Sequence, residues 1–229
     1  IYISDKIRDK YNEAFGLDGE TVYLTSEVQR RPFRVIDLNS PRITYFGNIR
    51  MGRNQSLCDA ADALGRIDPS WKLDVYSNEQ DPSVTSVFAS HKNLSFHGSV
   101  PYATVCSMIT ESDVTLIVEG FQPADVAQSR YSLSTKAADA LASGAAILTY
   151  GSAECGVVEY MASTGASSVC TEPSKLEQTL RELMFHPELQ REQYEKAVYY
   201  TKLHHDLKAS TQTFARVVRK AIAEKGAAR

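Results

Sequence analysis

No stretch of this 229-residue sequence approaches the ~20 consecutive apolar residues of a helical membrane span. Charge of one sign is also lacking. The net charge is −3, so no basic field points to nucleic acid or an anionic membrane. Cysteine is scarce and unpatterned: Cys58, Cys106, Cys155 and Cys170 show no C-x-x-C or other metal-ligand spacing. Each lies beside an apolar stretch, which reads as reduced thiols in a cytoplasmic protein. A Gly-x-Ser-x-Gly elbow, a P-loop, a Cys/His pair and a metal-ligand cluster are all missing, and so are repeats and low-complexity tracts. What is present is ordinary for a globular chain, 43% hydrophobic and 23% charged residues. A chain of this size buries roughly 70% of its unfolded surface, enough for a sizeable core.

The apolar pattern alternates between two periods. Short apolar runs at Ile43–Phe46, Leu73–Tyr76, Leu94–His97, Val114–Val118, Ala146–Tyr150 and Ser167–Cys170 read as strands. Helical patterns separate them, near 54–67, 102–110, 134–143 and 157–163, and helices from Pro173 onward close the chain. Strands apolar on both faces, alternating with helices, predict an α/β fold: a Rossmann-like, doubly wound parallel sheet. Ligands of such sheets bind at the carboxyl ends of the strands. The loops after Phe46, Tyr76, His97, Val118 and Tyr150 therefore form the functional rim. Ahead of this region, Ile1–Ile3 and Thr21–Leu24 read as short strands flanking a helix that Ser4 caps and Gly16 stops. Residues 25–41 are polar and basic and read as a linker.

Three constellations fall on the rim. Gly47-Asn48-Ile49-Arg50-Met51-Gly52-Arg53 follows the first regular strand; its glycines allow close backbone approach and its arginines are forked donors for phosphate. A solvent-facing loop with surface arginines is the plainer reading. The spacing is not G-x-G-x-x-G, which disfavours a nicotinamide dinucleotide. The second is Ser134-Thr135-Lys136 with Asp139 one turn on, closed by Gly144. Free backbone N–H groups at a helix start form an anion site, and an acid one turn in accepts from sugar hydroxyls. The bland alternative is a hydroxyl N-cap with a solvated lysine. The third is Glu119-Gly120, directly after the fourth strand, which is either a ligand contact or a turn with one exposed acid. His97 reads as a structural histidine, and His204-His205-Asp206 as a cap.

The order of these motifs across residues 43 to about 200 resembles the C-terminal domain of GT-B glycosyltransferases, in particular the retaining group-1 type. The residues that carry the resemblance are Gly47-Asn48 with Arg53, Phe96-His97-Gly98, Ser112–Leu116 and Asp139–Leu148. The resemblance implies a nucleotide-sugar domain. Gly47, Asn48, Arg50, Arg53, Ser134, Thr135 and Lys136 would hold the donor diphosphate. Asp139, Glu119 and Gly120 would contact ribose and sugar, and Gly98, Ser99 and Val100 would flank the base. Asn48 stands where the family has arginine, and Tyr131 where the first acid of a Glu-x7-Glu pair would be. The Ser-Thr-Lys helix start matches a sub-branch of the family.

The resemblance also implies a division of the chain. Residues 1–41 are expected to be an interdomain segment from an N-terminal acceptor domain. Residues 42–229 would be the donor domain with its return helices. The catalytic residues would lie partly in the acceptor domain, and any peripheral membrane association would come through that half. Neither metal nor cofactor is implied; the UDP- or GDP-sugar is substrate. The rival readings are a non-catalytic nucleotide-sugar domain and half of a GT-B epimerase.

Overall fold

The computed structural model describes residues 1–17 and 19–227. Residues 228 and 229, the end of the expected 42–229 unit, and Asp18 lie outside the described residues. Six strands form one sheet: β1 (Ile43–Phe46), β2 (Leu73–Tyr76), β3 (Leu94–Phe96), β4 (Val114–Val118), β5 (Ala146–Tyr150) and β6 (Ser168–Cys170). All pairs are parallel, and the order is β3-β2-β1-β4-β5-β6. This is the doubly wound order, whose direction of winding reverses between β1 and β4.

The period of two along the strands explains the layers. Ile43, Tyr45, Leu73, Val75, Leu116, Val118, Leu148 and Tyr150 share one buried cluster. It is completed by α2 (Arg53–Ile67), through Leu57, Ala61 and Leu64, and by α8 (Leu176–Phe185), through Leu180 and Leu183. Ile117 and Ile147, one residue out of phase, face a second cluster. That cluster is covered by α6 (Lys136–Ser143), α7 (Gly156–Thr164) and α9 (Pro187–His204), through Leu141, Met161 and Ala197. The remaining helices are α1 (Asp5–Phe15), α3 (Pro82–Thr85), α4 (Tyr102–Glu111), α5 (Pro123–Ser129) and α10 (Leu207–Ala227). No helix among the described residues is long and apolar enough to cross a membrane.

Four expectations need adjustment. Ile1–Ile3 and Thr21–Leu24 pair only through a single parallel bridge, Tyr2 to Thr21. Ile1, Ile3 and Leu24 are exposed, so no apolar layer supports a longer ladder. Helix α6 begins at Lys136, two residues later than its hydroxyls imply, and Thr135 makes no side-chain cap. Helix α5 falls in a stretch where the sequence predicts no element; Pro123 opens it, but Val126 is its only buried apolar residue, so it leaves no periodicity. Residues 25–41 hold no helix or strand, yet they are packed down. Val28 and Ile36 are buried, Trp71 Nε1 donates to Leu38 O at 3.1 Å, and Arg31 Nη2 donates to Ser112 O at 3.0 Å.

Candidate donor cleft

A cleft of about 520 Å³ opens at the carboxyl ends of β1 and β2, beside Thr115 and Leu116 of β4 and between α4 and α6. Phe46 and Tyr76 line it as part of an aromatic stack that continues to His97. Phe46 lies on Tyr76 at 5.1 Å between ring centroids and Tyr76 on His97 at 4.8 Å, with 15° between the planes in each pair. His97 Nε2 is 2.7 Å from Asp74 Oδ1, so that ring is held as a structural element. Gly47, Asn48, Ser99, Val100, Thr135, Lys136 and Asp139 all line the cleft. Tyr76, Ser77, Asn78 and Tyr102 join them and carry no motif; only their places after β2 and at the start of α4 mark them.

Lys136 sits over Gly47. A Cβ there would stand 3.1 Å from Lys136 Cδ and Nζ, and the φ of +132° is one side chains rarely adopt, so the position requires glycine. The ammonium lies 5.7 Å from the Tyr45 ring centroid and, among the described residues, makes no hydrogen bond or ion pair. Burial, reinforced by the neighbouring Arg53, pushes its pKa down to about 8, against the pull of Glu119 and Asp139. It is a cation without a fixed partner at the first residue of a helix. That is the arrangement an anion would complete.

Asp139, one turn further on, is held from two sides. Ser26 Oγ donates to its Oδ1 at 2.6 Å, and Tyr102 OH donates to the same oxygen at 2.9 Å. Burial, and then the bond to Asp139, raise the pKa of the Tyr102 phenol above its usual range, so it remains a donor.

Arg53 and Glu119 are elsewhere. Arg53 Nη2 is 2.7 Å from Glu119 Oε2, and both side chains are nearly fully buried, at 7% and 2% exposure. The contact is an ion pair without hydrogen-bond alignment, and Arg53 Nε and Glu119 Oε2 have no hydrogen-bond partner among the described residues. Burial raises the pKa of Glu119 against the opposing pull of Arg53 and Lys136. Loop 47–52 is pressed onto Gly120 here: a Cβ at Gly52, where φ is +72°, would reach 2.9 Å from Gly120 Cα. Neither Arg53, Glu119 nor Gly120 lines the cleft. Arg50 is exposed and turned to Glu79 and Asp81, with Nη2 2.9 Å from Glu79 Oε1. Ser134 and Gly98 also stay off the lining; Gly98 O accepts from Ser77 N at 3.0 Å and so ties two rim loops together. Among the described residues no three His, Cys, Asp or Glu side chains are grouped to hold a metal ion.

No protein-family model and no curated protein sequence matches the chain. Solved structures do. A point mutant of Staphylococcus aureus TarM, in complex with fondaparinux, α-GlcNAc-glycerol and UDP, superposes with a TM-score of 0.68 at 10% identity, over 94% of this chain and 42% of that one. The chain has the fold of a GT-B half-domain. Sucrose-phosphate synthase from Thermosynechococcus elongatus shares this fold with a TM-score of 0.66 at 12% identity, over 97% and 58% of the two chains. The pneumococcal O-GlcNAc transferase GtfA, solved with UDP and GlcNAc, gives 0.63 at 12% identity, over 96% and 44%. The chain therefore spans 42–58% of the length of these GT-B proteins.

Proposed function

We propose that this chain is the donor-binding half of a glycosyltransferase, holding a UDP- or GDP-sugar in the cleft between α4 and α6. The observation that carries this reading is Lys136: an ammonium with no hydrogen-bond or ion-pair partner among the described residues, at a helix start, over a glycine, on the rim of a GT-B half-domain. The diphosphate takes Lys136 and the backbone N–H groups of Thr135 and Lys136. Asp139 accepts from ribose, and the stack of Tyr76 on Phe46 offers an apolar face beside the base-flanking residues Ser99 and Val100. A fixed ammonium and N–H groups stabilise the departing diphosphate with no reorganisation during the reaction. Transfer with retention takes place against an acceptor domain elsewhere in the protein, in the cytoplasm.

Thermal unfolding of the chain with a panel of UDP- and GDP-sugars tests the reading. A ligand at 100 times its Kd adds about 2.7 kcal/mol, a shift of several degrees. No response to any nucleotide-sugar overturns it. A second reading, a nucleotide-sugar domain without transferase activity, is favoured by one observation: Arg50 and Arg53 are both engaged by carboxylates. Sugar transfer by the protein together with an acceptor domain, lost on Lys136→Met, decides against that second reading.

A further inference from the structure

We infer that Ser26 is a positioning residue for ribose recognition, and that it ties the donor cleft to the segment that straps α6; this rests on the donor reading above. The Ser26 hydroxyl is fully committed. It accepts from Val28 N at 3.0 Å, so its own proton goes to Asp139 Oδ1. Tyr102 donates to the same oxygen. A carboxylate accepts about four hydrogen bonds across its two oxygens. With both protein donors on Oδ1, the plane of the carboxylate is set, and Oδ2 has no partner among the described residues. Two adjacent ribose hydroxyls are the kind of paired donor that such a half-satisfied carboxylate takes.

The strap continues from Ser26 to the other end of α6. Arg30 Nη2 donates to Leu141 O at 2.6 Å and to Thr201 Oγ1 at 2.7 Å, and Arg31 N donates to Ser143 O at 3.1 Å. Leu141 and Ser143 carry carbonyls of the last turn of α6, which a helix leaves without internal partners. Residues 26–31 thus hold α6 at the acid near its start and at the carbonyls of its end. Displacement of this segment takes Ser26 off Asp139, so ribose binding and the docked strap stabilise each other.

Calorimetric titration of the chain with UDP, GDP and their 2′,3′-dideoxy forms tests the inference. The wild type should bind the ribose form roughly tenfold tighter than its dideoxy counterpart. Ser26→Ala should lose most of that preference while leaving dideoxy binding unchanged, Tyr102→Phe should erode it, and Ser26→Thr should keep it. A full ribose preference in Ser26→Ala overturns the role of Ser26 and leaves the donor reading standing. An equal loss for both nucleotide forms also overturns it, because that is the mark of a merely structural contact. Wild-type chain that binds neither UDP nor GDP removes the donor reading and this inference with it.

Discussion

Arg53 and Lys136 occupy equivalent places in the fold and have opposite fates. Each is the first residue of a helix that follows a loop at the rim of the sheet, and the sequence marks each as a phosphate ligand. Arg53 is buried against Glu119, whereas Lys136 faces the cleft with no hydrogen-bond or ion-pair partner among the described residues. A buried charge must be paired or it destabilises the fold, and Glu119 meets that need for Arg53. Lys136 retains contact with the cleft and with it a capacity for an anion. Two cations at comparable positions thus divide into one that holds two loops together and one that is available for ligand.

The largest expected effect tests the structural side of this contrast. Glu119→Ala leaves Arg53 as a lone buried cation and should destabilise the chain by about 3–5 kcal/mol, read by denaturant unfolding. The double variant Arg53→Met with Glu119→Leu should recover most of that loss. A Glu119→Ala variant that unfolds like wild type would show that buried Arg53 does not depend on Glu119.

Next comes the ligand side. Lys136→Met should weaken nucleoside diphosphate binding roughly 10- to 100-fold, the range for a hydrogen bond to a charged group. It should not lower stability in the absence of ligand, because folding already disfavours the charge on Lys136. A third, smaller effect follows from the Lys136 pKa of about 8, against an ordinary 10.5. Between those values the unfolded chain keeps a proton that the folded chain has released, so stability should rise with pH there. Binding has the opposite sign. The anion prefers the protonated lysine, so affinity should be full below pH 8 and fall by up to about tenfold per unit above it. Lys136→Arg should flatten that slope, as measured by titration at a series of pH values. Arg50→Ala, which removes an exposed side chain turned towards Glu79, should change affinity by about twofold or less.

The sheet was legible in the sequence because its signal is local. Ile43–Phe46, Leu73–Tyr76, Val114–Val118 and Ala146–Tyr150 are read with the bounds the structure has, each an apolar run closed by a turn. The Ser4 cap and the stop at Gly16 are equally local. Helix α5 was hidden because one buried residue makes no pattern. The runs at Ile1–Ile3 and Thr21–Leu24 pair through one bridge and no further, with Ile1, Ile3 and Leu24 exposed. The cleft was only partly legible. The strand-end rule led to Gly47, Ser99 and Lys136, but not to which cation is paired. The Arg53–Glu119 pair joins two loops that meet only across the β1–β4 reversal, and the Ser26–Asp139 bond joins the linker to a helix far along the chain. Tyr102, Ser77 and Asn78 reach the cleft through position alone, with no motif around them.

Calorimetric titration of UDP and GDP at pH 7, into wild-type chain, Lys136→Met and the Arg53→Met/Glu119→Leu pair, is the most direct test. One nucleoside diphosphate should bind per chain, with the affinity lost in Lys136→Met and largely kept in the paired variant. Loss of binding in the paired variant, with Lys136→Met binding as wild type does, would make Arg53 the phosphate ligand and contradict the division of roles between the two cations.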